Sequence, residues 1–513
     1  GSYTLVFDDG SSLAVTIVPG RYDVRGDGEL NAVIALGPAA RSGNTINLRA
    51  GVYSELVLSD SNTAYCTIQS DPADRSFTWG YGQTETIVNR SGVARLGGLN
   101  LNNGGPCDFW RFRNLEFYKP SLATDADGGL NGYVVQVMAV RNVEFIRCEV
   151  HCDQPASYTS DNLYTKRALT GIGLQTNGDG ARDFRIEDCF IHDVYRSTNL
   201  RCKANVSISR NVIRDVFINP IEVLDPFQPG WGQVEREVQG LTIRDNVIVG
   251  HLCNSDPATG GNPGYHQAGI AFQMMRKNGV YVLANIILPV YDFSTIGGID
   301  IDEVGSQPWA GSINCEIKGN TCVGQQINNP TIARAQGGCK QIGNTLMPRL
   351  KKNQAAFGPG TSTGPNNYWT ISATGANINS HNLFSGGTGG PRWGAGAVGA
   401  APSVDADNLG TGHGQQIVTD AAGVITAWQN GTAALAVPAG TRSVTYADLF
   451  ENGAAKNAAG LFCNITDVDV LKLRADIATY LGAWVGAYGS GYVTYQPGHM
   501  SDPQPSIIDT AME

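Results

Sequence analysis

The chain has 513 residues, 42% of them hydrophobic and 16% charged, and a net charge of −10. An acidic balance leaves no broad basic face for nucleic acid, and no run of about 18 apolar residues offers a membrane span. A core of this size outgrows one globular domain unless it extends along an axis, as a repeat architecture does.

Residues 1–45 read as a leading β segment, because 3–7 and 13–18 alternate around Asp8-Asp9-Gly10 in a hairpin pattern. The first residues carry no charged and then apolar leader. From Thr45 to Tyr53 an apolar strand runs into a glycine and an aromatic, opening the next region. Within 46–390, six segments share one pattern aligned on a bend residue: Cys148, Cys189, Asn211, Asn246, Asn285 and Asn320. The positions five and three before each bend are apolar, as in Phe184 and Ile186 or Leu241 and Ile243. Two positions after it stands Val150, Ile191, Ile213, Ile248, Ile287 or Cys322. Alternation of period two on both sides of a small polar or thiol residue describes two short strands meeting at a corner, repeated along a solenoid. Successive bends are 41, 22, 35, 39 and 35 residues apart, so the second interval is a coil with almost no insertion and the others shed loops.

A second element precedes each bend strand: Gly171-Ile172-Gly173-Leu174-Gln175, Asn199-Leu200-Arg201-Cys202-Lys203, Pro220-Ile221-Glu222-Val223-Leu224, Gly269-Ile270-Ala271-Phe272-Gln273 and Gly298-Ile299-Asp300-Ile301-Asp302. Each has two apolar residues facing in and three residues facing out. Long insertions before and after this element build the walls of a groove over it. The two elements form a "GIxL … nVxIxxNxI" coil. It resembles the right-handed parallel β-helix family of polysaccharide-degrading enzymes, which includes pectate lyases, polygalacturonases and phage tailspike depolymerases. The resemblance spans about 45–390 and specifies fold better than activity. It implies an all-β, single-stranded right-handed parallel β-helix, an extracellular setting (secreted or on a virion surface), and for a tailspike a homotrimer. The polygalacturonase signatures Asn-Thr-Asp and Gly-His-Gly are absent.

Residues 391–513 leave the pattern for Gly/Ala-rich sequence and read as a small α/β capping or oligomerisation segment. Its one helix is expected over 467–485, with Leu471, Leu473, Ile477 and Leu481 on its apolar side. Eleven cysteines are an odd number, and several fall at bends or inward positions, which predicts buried free thiols rather than a disulfide framework. No CxxC or Cys/His ligand spacing is present, and no metal site is expected. Asp125-Ala126-Asp127-Gly128-Gly129 reads as an ordinary turn. His151 and His192, each three residues after a bend, are expected to stack on a wall away from the groove.

Equivalent positions of neighbouring coils lie about 4.8 Å apart. The outward middle positions are then Gly173, Arg201, Glu222, Ala271 and Asp300, followed by Gln175, Lys203, Leu224, Gln273 and Asp302. Small Gly173 and Ala271 leave room for a sugar ring. Glu222 and Asp300, two coils apart, fit the acid/base pair of an inverting glycosidase, with Asp302 tuning its neighbour by like charge. Arg201 and Lys203 are candidates to hold acidic or hydroxyl groups of a polysaccharide, with Gln175 and Gln273 beside them. Trp231, Trp309, Tyr265 and His266 lie on loops suited to stacking or polar contact. Paired across coils, the same charges would be ordinary strand-face residues. Endo-acting hydrolysis needs no cofactor. The runner-up is a lyase, in which a base among Arg201, Lys203, Lys166, Arg167, Tyr265 and His266 removes the C5 proton of a uronate and Ca²⁺ bound by the acidic column neutralises its carboxylate. A third reading is a non-catalytic carbohydrate-binding β-helix.

Overall fold

A computed structural model of the chain describes residues 2–6, 12–16, 20–73, 76–78, 89–91, 93–101, 107–121, 132–138, 140–153, 169–174, 181–216, 219–224, 237–249, 269–273, 276–288, 296–297, 299–301, 311–324, 326–327, 331–332, 335–337, 339–348, 378–380, 383–385, 404–406, 409–411, 416–419, 425–430, 433–436, 442–444, 450–459 and 472–475. One coil shows the plan. Thr170–Leu174 lies in a first sheet (I), Ala181–Glu187 in a second (II) and Phe190–His192 in a third (III), after which Thr198–Ser209 returns to sheet I and runs on into sheet II. Each strand pairs in parallel with its equivalent one coil away, as Phe190–His192 does with Glu149–His151 and Val212–Arg214. The chain is a parallel β-helix.

Sheet III runs through thirteen described strands, from Gly51–Tyr53 to Arg442–Val444. The coil begins earlier than the sequence pattern, because Arg21–Val24 already pairs in parallel with Thr45–Leu48. The hairpin expected at the start is present, with Ser2–Val6 antiparallel to Ser12–Thr16. A helix not anticipated from sequence, α1 (Asp27–Ala35), follows the first strand. Its Leu30 and Val33, one turn apart, enter the same core as Val24 and Ile46, and acidic Asp27 and Glu29 occupy its first turn. Of the helix expected over 467–485, only 472–475 are described, and there Leu473 forms an antiparallel bridge with Phe450. The described helix nearby is short, Gly453–Ala458.

Inward positions stack in register: Phe117, Val150, Ile191, Ile213, Ile248, Ile287 and Cys322 of sheet III are all fully buried. Each such aliphatic side chain contributes about 1.5–3 kcal/mol relative to exposure. Phe112 and Phe145 continue the stacking in sheet II, with ring centroids 5.1 Å apart.

The corner between sheets II and III is tight, and its polar atoms are satisfied by a side-chain ladder. Asn246 Nδ2 donates to the Ile208 carbonyl (2.9 Å) and to Asn285 Oδ1 (2.8 Å). Its Oδ1 accepts from the backbone N–H and side-chain amide of Asn211 (3.0 and 2.9 Å). The same bonds recur through Asn285 and Asn320 to Asn344, a seventh bend residue the sequence pattern did not include. At the other end Cys189 and Cys148 take over, the Cys189 N–H still donating to Asn211 Oδ1 (2.9 Å). The residue before each bend has positive φ, including Arg147, Asp188, Arg210, Asp245, Ala284, Gly319 and Gly343. Non-glycine residues pay roughly 1–2 kcal/mol for that conformation, which the ladder outweighs.

Nine cysteines are described, and all are free and buried, as the sequence predicted. Burial pushes the Cys66 and Cys152 thiols up to about 12 and raises those of Cys202 and Cys322 as well. A thiol held protonated is a poor nucleophile. In the native protein a thiol reagent should therefore modify at most two of the eleven cysteines (eleven less the nine buried), and all eleven after denaturation. Asn246→Ala, which strands a buried backbone N–H and carbonyl, should lower the unfolding free energy by about 2–5 kcal/mol in urea titrations. Thr242→Ala on the same coil's outer face should change it by less than about 0.5 kcal/mol.

Candidate functional site

The strands of sheet I set one column in register: Asn100, Gln136, Gly173, Asn199, Glu222, Ala271, Asp300 and Thr331. Glu222 and Asp300 therefore stand two strands apart with Ala271 between, as read from sequence. Arg201 does not stand beside Glu222. Asn199 does, and Arg201 pairs instead with Leu224, and through it with Gln273. Lys203 moves off the column too, lying between Cys202 and Ala204, which pair with Ala181 and Arg182 of sheet II. The cause is the coil with no insertion: Thr198–Ser209 is one continuous strand serving two sheets, so nothing marks where its sheet I portion starts. A slip of two residues keeps every side chain on its proper face and leaves the pattern unchanged. The space expected at Gly173 is also filled, since a Cβ there would overlap the Tyr133 ring.

Glu222 is 2% exposed. Asn199 Nδ2 donates to its Oε2 (2.9 Å), Asn219 Nδ2 donates to its Oε1 (3.0 Å), and the Arg196 Nε lies 2.9 Å from Oε2 as an ion pair. Arg196 itself is buried and its guanidinium faces the Tyr195 ring at 5.1 Å. Arg196 and Asn219 arrive from the corner between sheets III and I, where 193–197 of one coil and Asn219-Pro220 of the next meet: the Ser197 and Thr198 N–H groups both donate to the Pro220 carbonyl (3.0 Å each). Sequence reading missed Arg196, Asn199 and Asn219. Asn199 was legible from the correct register, whereas Arg196 and Asn219 reach the column from a corner that carries no repeat.

Of the other expected site residues, Asp300 and Gln273 are described only as strand backbone, in Ile299–Ile301 and Ile270–Gln273. Asp302, Gln175, Trp231, Trp309, Tyr265, His266, Lys166 and Arg167 lie outside the described residues, as does the turn at 125–129.

A second polar cluster occupies the outer face of sheet III. Its columns are Arg95, Glu116, Glu149 and Phe190 in one row and Tyr118, His151, His192 and Arg214 in the next. His151 and His192 stack as expected, with centroids 4.7 Å apart and planes 12° from parallel. His151 Nε2 lies 2.9 Å from Glu116 Oε1 and His192 Nε2 2.7 Å from Glu149 Oε1. The Nδ1 atoms face the Cys152 carbonyl (2.9 Å) and Asp193 Oδ2 (2.6 Å). Burial, with the Asp215 carboxylate adding to it, pushes the Asp193 carboxyl up to about 8.

No protein-family model matches the chain, and no curated protein matches it by sequence. Among solved structures it is similar to pectate lyase Pel9A, at 12% identity over 89% of each chain with a TM-score of 0.37. It is also similar to a GH136 lacto-N-biosidase from Eubacterium ramulus (12% identity, 71% of this chain and 64% of that one, TM-score 0.38) and to the Dettilon tailspike protein gp208 (11% identity, 76% and 62%, TM-score 0.33). The chain thus spans under two thirds of the latter two.

Removing one partner of a buried ion pair leaves the other charge uncompensated. Arg196→Met should cost about 3–5 kcal/mol of stability. Adding Glu222→Gln to that variant should return at least half of the loss, as read by denaturant unfolding of both variants.

Proposed function

We propose that the protein hydrolyses a polysaccharide laid along sheet I, with Glu222 and Asp300 as its acid/base pair. The observation that carries the reading is the register. Glu222, Ala271 and Asp300 follow one another in a single column, two strand spacings or about 9–10 Å from end to end along the backbone. Side chains from such positions span the roughly 6.5–9.5 Å between carboxyls that lets one protonate the leaving oxygen while the other activates water. Between them Ala271 offers no bulk. Glu222 receives hydrogen bonds from two amides and faces a guanidinium, which fits the base that takes a proton from water. Asp300 is then the acid, with Asp302 two residues on to hold its proton by like charge. Arg201, now in the column of Leu224 and Gln273, remains on the same face to meet substrate oxygens. A polymer of this kind is met outside the cell.

Glu222→Gln and Asp300→Asn should each reduce cleavage of a responsive polysaccharide by at least about 10³-fold, assayed well below the unfolding transition because Glu222→Gln also leaves the buried Arg196 without its counter-charge. Products are to be identified by mass spectrometry from a panel of acidic and neutral polymers. Products carrying the ultraviolet absorbance of an unsaturated uronate would replace hydrolysis by β-elimination. Cleavage retained by both folded variants would remove the pair from the reaction, and binding without cleavage of any polymer would leave a carbohydrate-binding helix.

A further inference from the structure

The face of sheet III carries an arrangement that the groove chemistry does not use. Four side chains from three successive strands, Glu116–Tyr118, Glu149–His151 and Phe190–His192, converge there. One ligand atom each from Glu149, His151 and His192 lies within 4.8 Å of the others. His151 Nε2 is 2.9 Å from Glu116 Oε1 and 3.9 Å from Glu149 Oε1, and His192 Nε2 is 2.7 Å from Glu149 Oε1.

Both rings are oriented from behind in the manner of metal-binding imidazoles. His151 Nδ1 faces the Cys152 carbonyl, an acceptor only, so it carries a proton and leaves Nε2 toward the carboxylates. His192 Nδ1 lies 2.6 Å from Asp193 Oδ2, so that ring too is held from behind with its Nε2 toward the carboxylates. Each Nε2 then meets a carboxylate oxygen, and that contact is favourable only with a positive species between the two atoms. A proton serves, and so does a metal ion.

We infer that Glu149, His151 and His192, with Glu116 beside them, form a binding site for a divalent first-row transition ion of the Zn²⁺ class. One such cation replaces two protons, one at each Nε2, so the charge of the cluster is conserved and the displaced protons pass to solvent. Two imidazoles with carboxylate oxygens are a donor set for Zn²⁺ rather than for Ca²⁺, which takes oxygens. A tetrahedral ion bound at about 2.0–2.2 Å holds its ligand atoms about 3.3 Å apart, a value inside the 2.7–3.9 Å contacts already made. His192 is partly exposed and gives the ion its way in. Bound there, the ion would tie three coils together across Glu116 and Glu149, two carboxylates that are register neighbours.

The test uses the full chain, stripped with a chelator and dialysed. Titration calorimetry with Zn²⁺ should show one site per chain. His192→Ala should weaken it at least 100-fold, and His151→Ala/His192→Ala should abolish it. Both histidines stand on an outer face, and circular dichroism checks that the variants remain folded. Co²⁺ in the wild type should give the intense visible absorption of a four-coordinate site with nitrogen ligands, and none in the double variant. Glu149→Gln, which changes one atom, should lower Zn²⁺ affinity while leaving the fold intact. Equal Zn²⁺ binding by wild type and double variant, or no stoichiometric binding by the wild type, overturns the inference and leaves protons as the bridging species.

Discussion

The corner between sheets II and III is the constraint on which the rest of the molecule depends. A chain that reverses this sharply buries backbone N–H and C=O groups that no strand can pair, and each would cost about 1–3 kcal/mol if left alone. The asparagine amide answers both needs at once, since Oδ1 accepts from the N–H of the preceding coil's bend while Nδ2 donates to a carbonyl beneath. Because each amide also bonds to the next, the bend of one coil is fixed against the bend of its neighbour. That fixes the register of all three sheets. Where the ladder changes to Cys189 and Cys148, the thiol still accepts the bend N–H, at 3.4 Å, but offers a weaker donor.

A fixed register turns the outer faces into columns, and columns of charge must be arranged so that like does not stand next to like. Sheet II does this by alternation: Arg111, Glu144 and Arg185 follow one another in register, and both arginines pair with Glu144, at 2.5 and 3.7 Å. Sheet III breaks the rule at Glu116 and Glu149, which occupy neighbouring positions of one column. Arg95 relieves one end at 2.7 Å from Glu116. The other relief comes from the histidines in the adjoining column, so the strain of like charges and the stacking of the rings are two aspects of one cluster.

Much of this was legible in the letters. Six bends and their flanking apolar positions specified the coil, the inward stacks and the free buried cysteines, because each rests on a period of two that burial enforces. The errors have physical causes too. Asn199 and Arg201 are both outward, and a strand running unbroken through two sheets gives no local sign of which one meets Glu222. Asn344 escaped notice because the bend strand before it, Lys340–Ile342, is largely polar. The pattern of α1 is short, with Leu30, Val33 and Ile34 as its apolar positions, and it sits beside strands whose alternation is easier to see. Arg196 and Asn219 could not be read at all, since corners between sheets III and I vary in length and their contacts depend on how successive coils stack.

The short coil between Cys189 and Asn211 is where the two polar faces meet. His192 ends its sheet III strand, and four residues later Arg196 reaches Glu222 on sheet I. Between them Asp193, Val194 and Tyr195 are all buried, and the Gly171 N–H donates to the Arg196 carbonyl at 2.8 Å. With no insertion in this coil, there is no slack in which to absorb a shift of the His192 end. The sheet III cluster and the Glu222 column are therefore joined by a short, buried corner, although they lie on different faces of the helix.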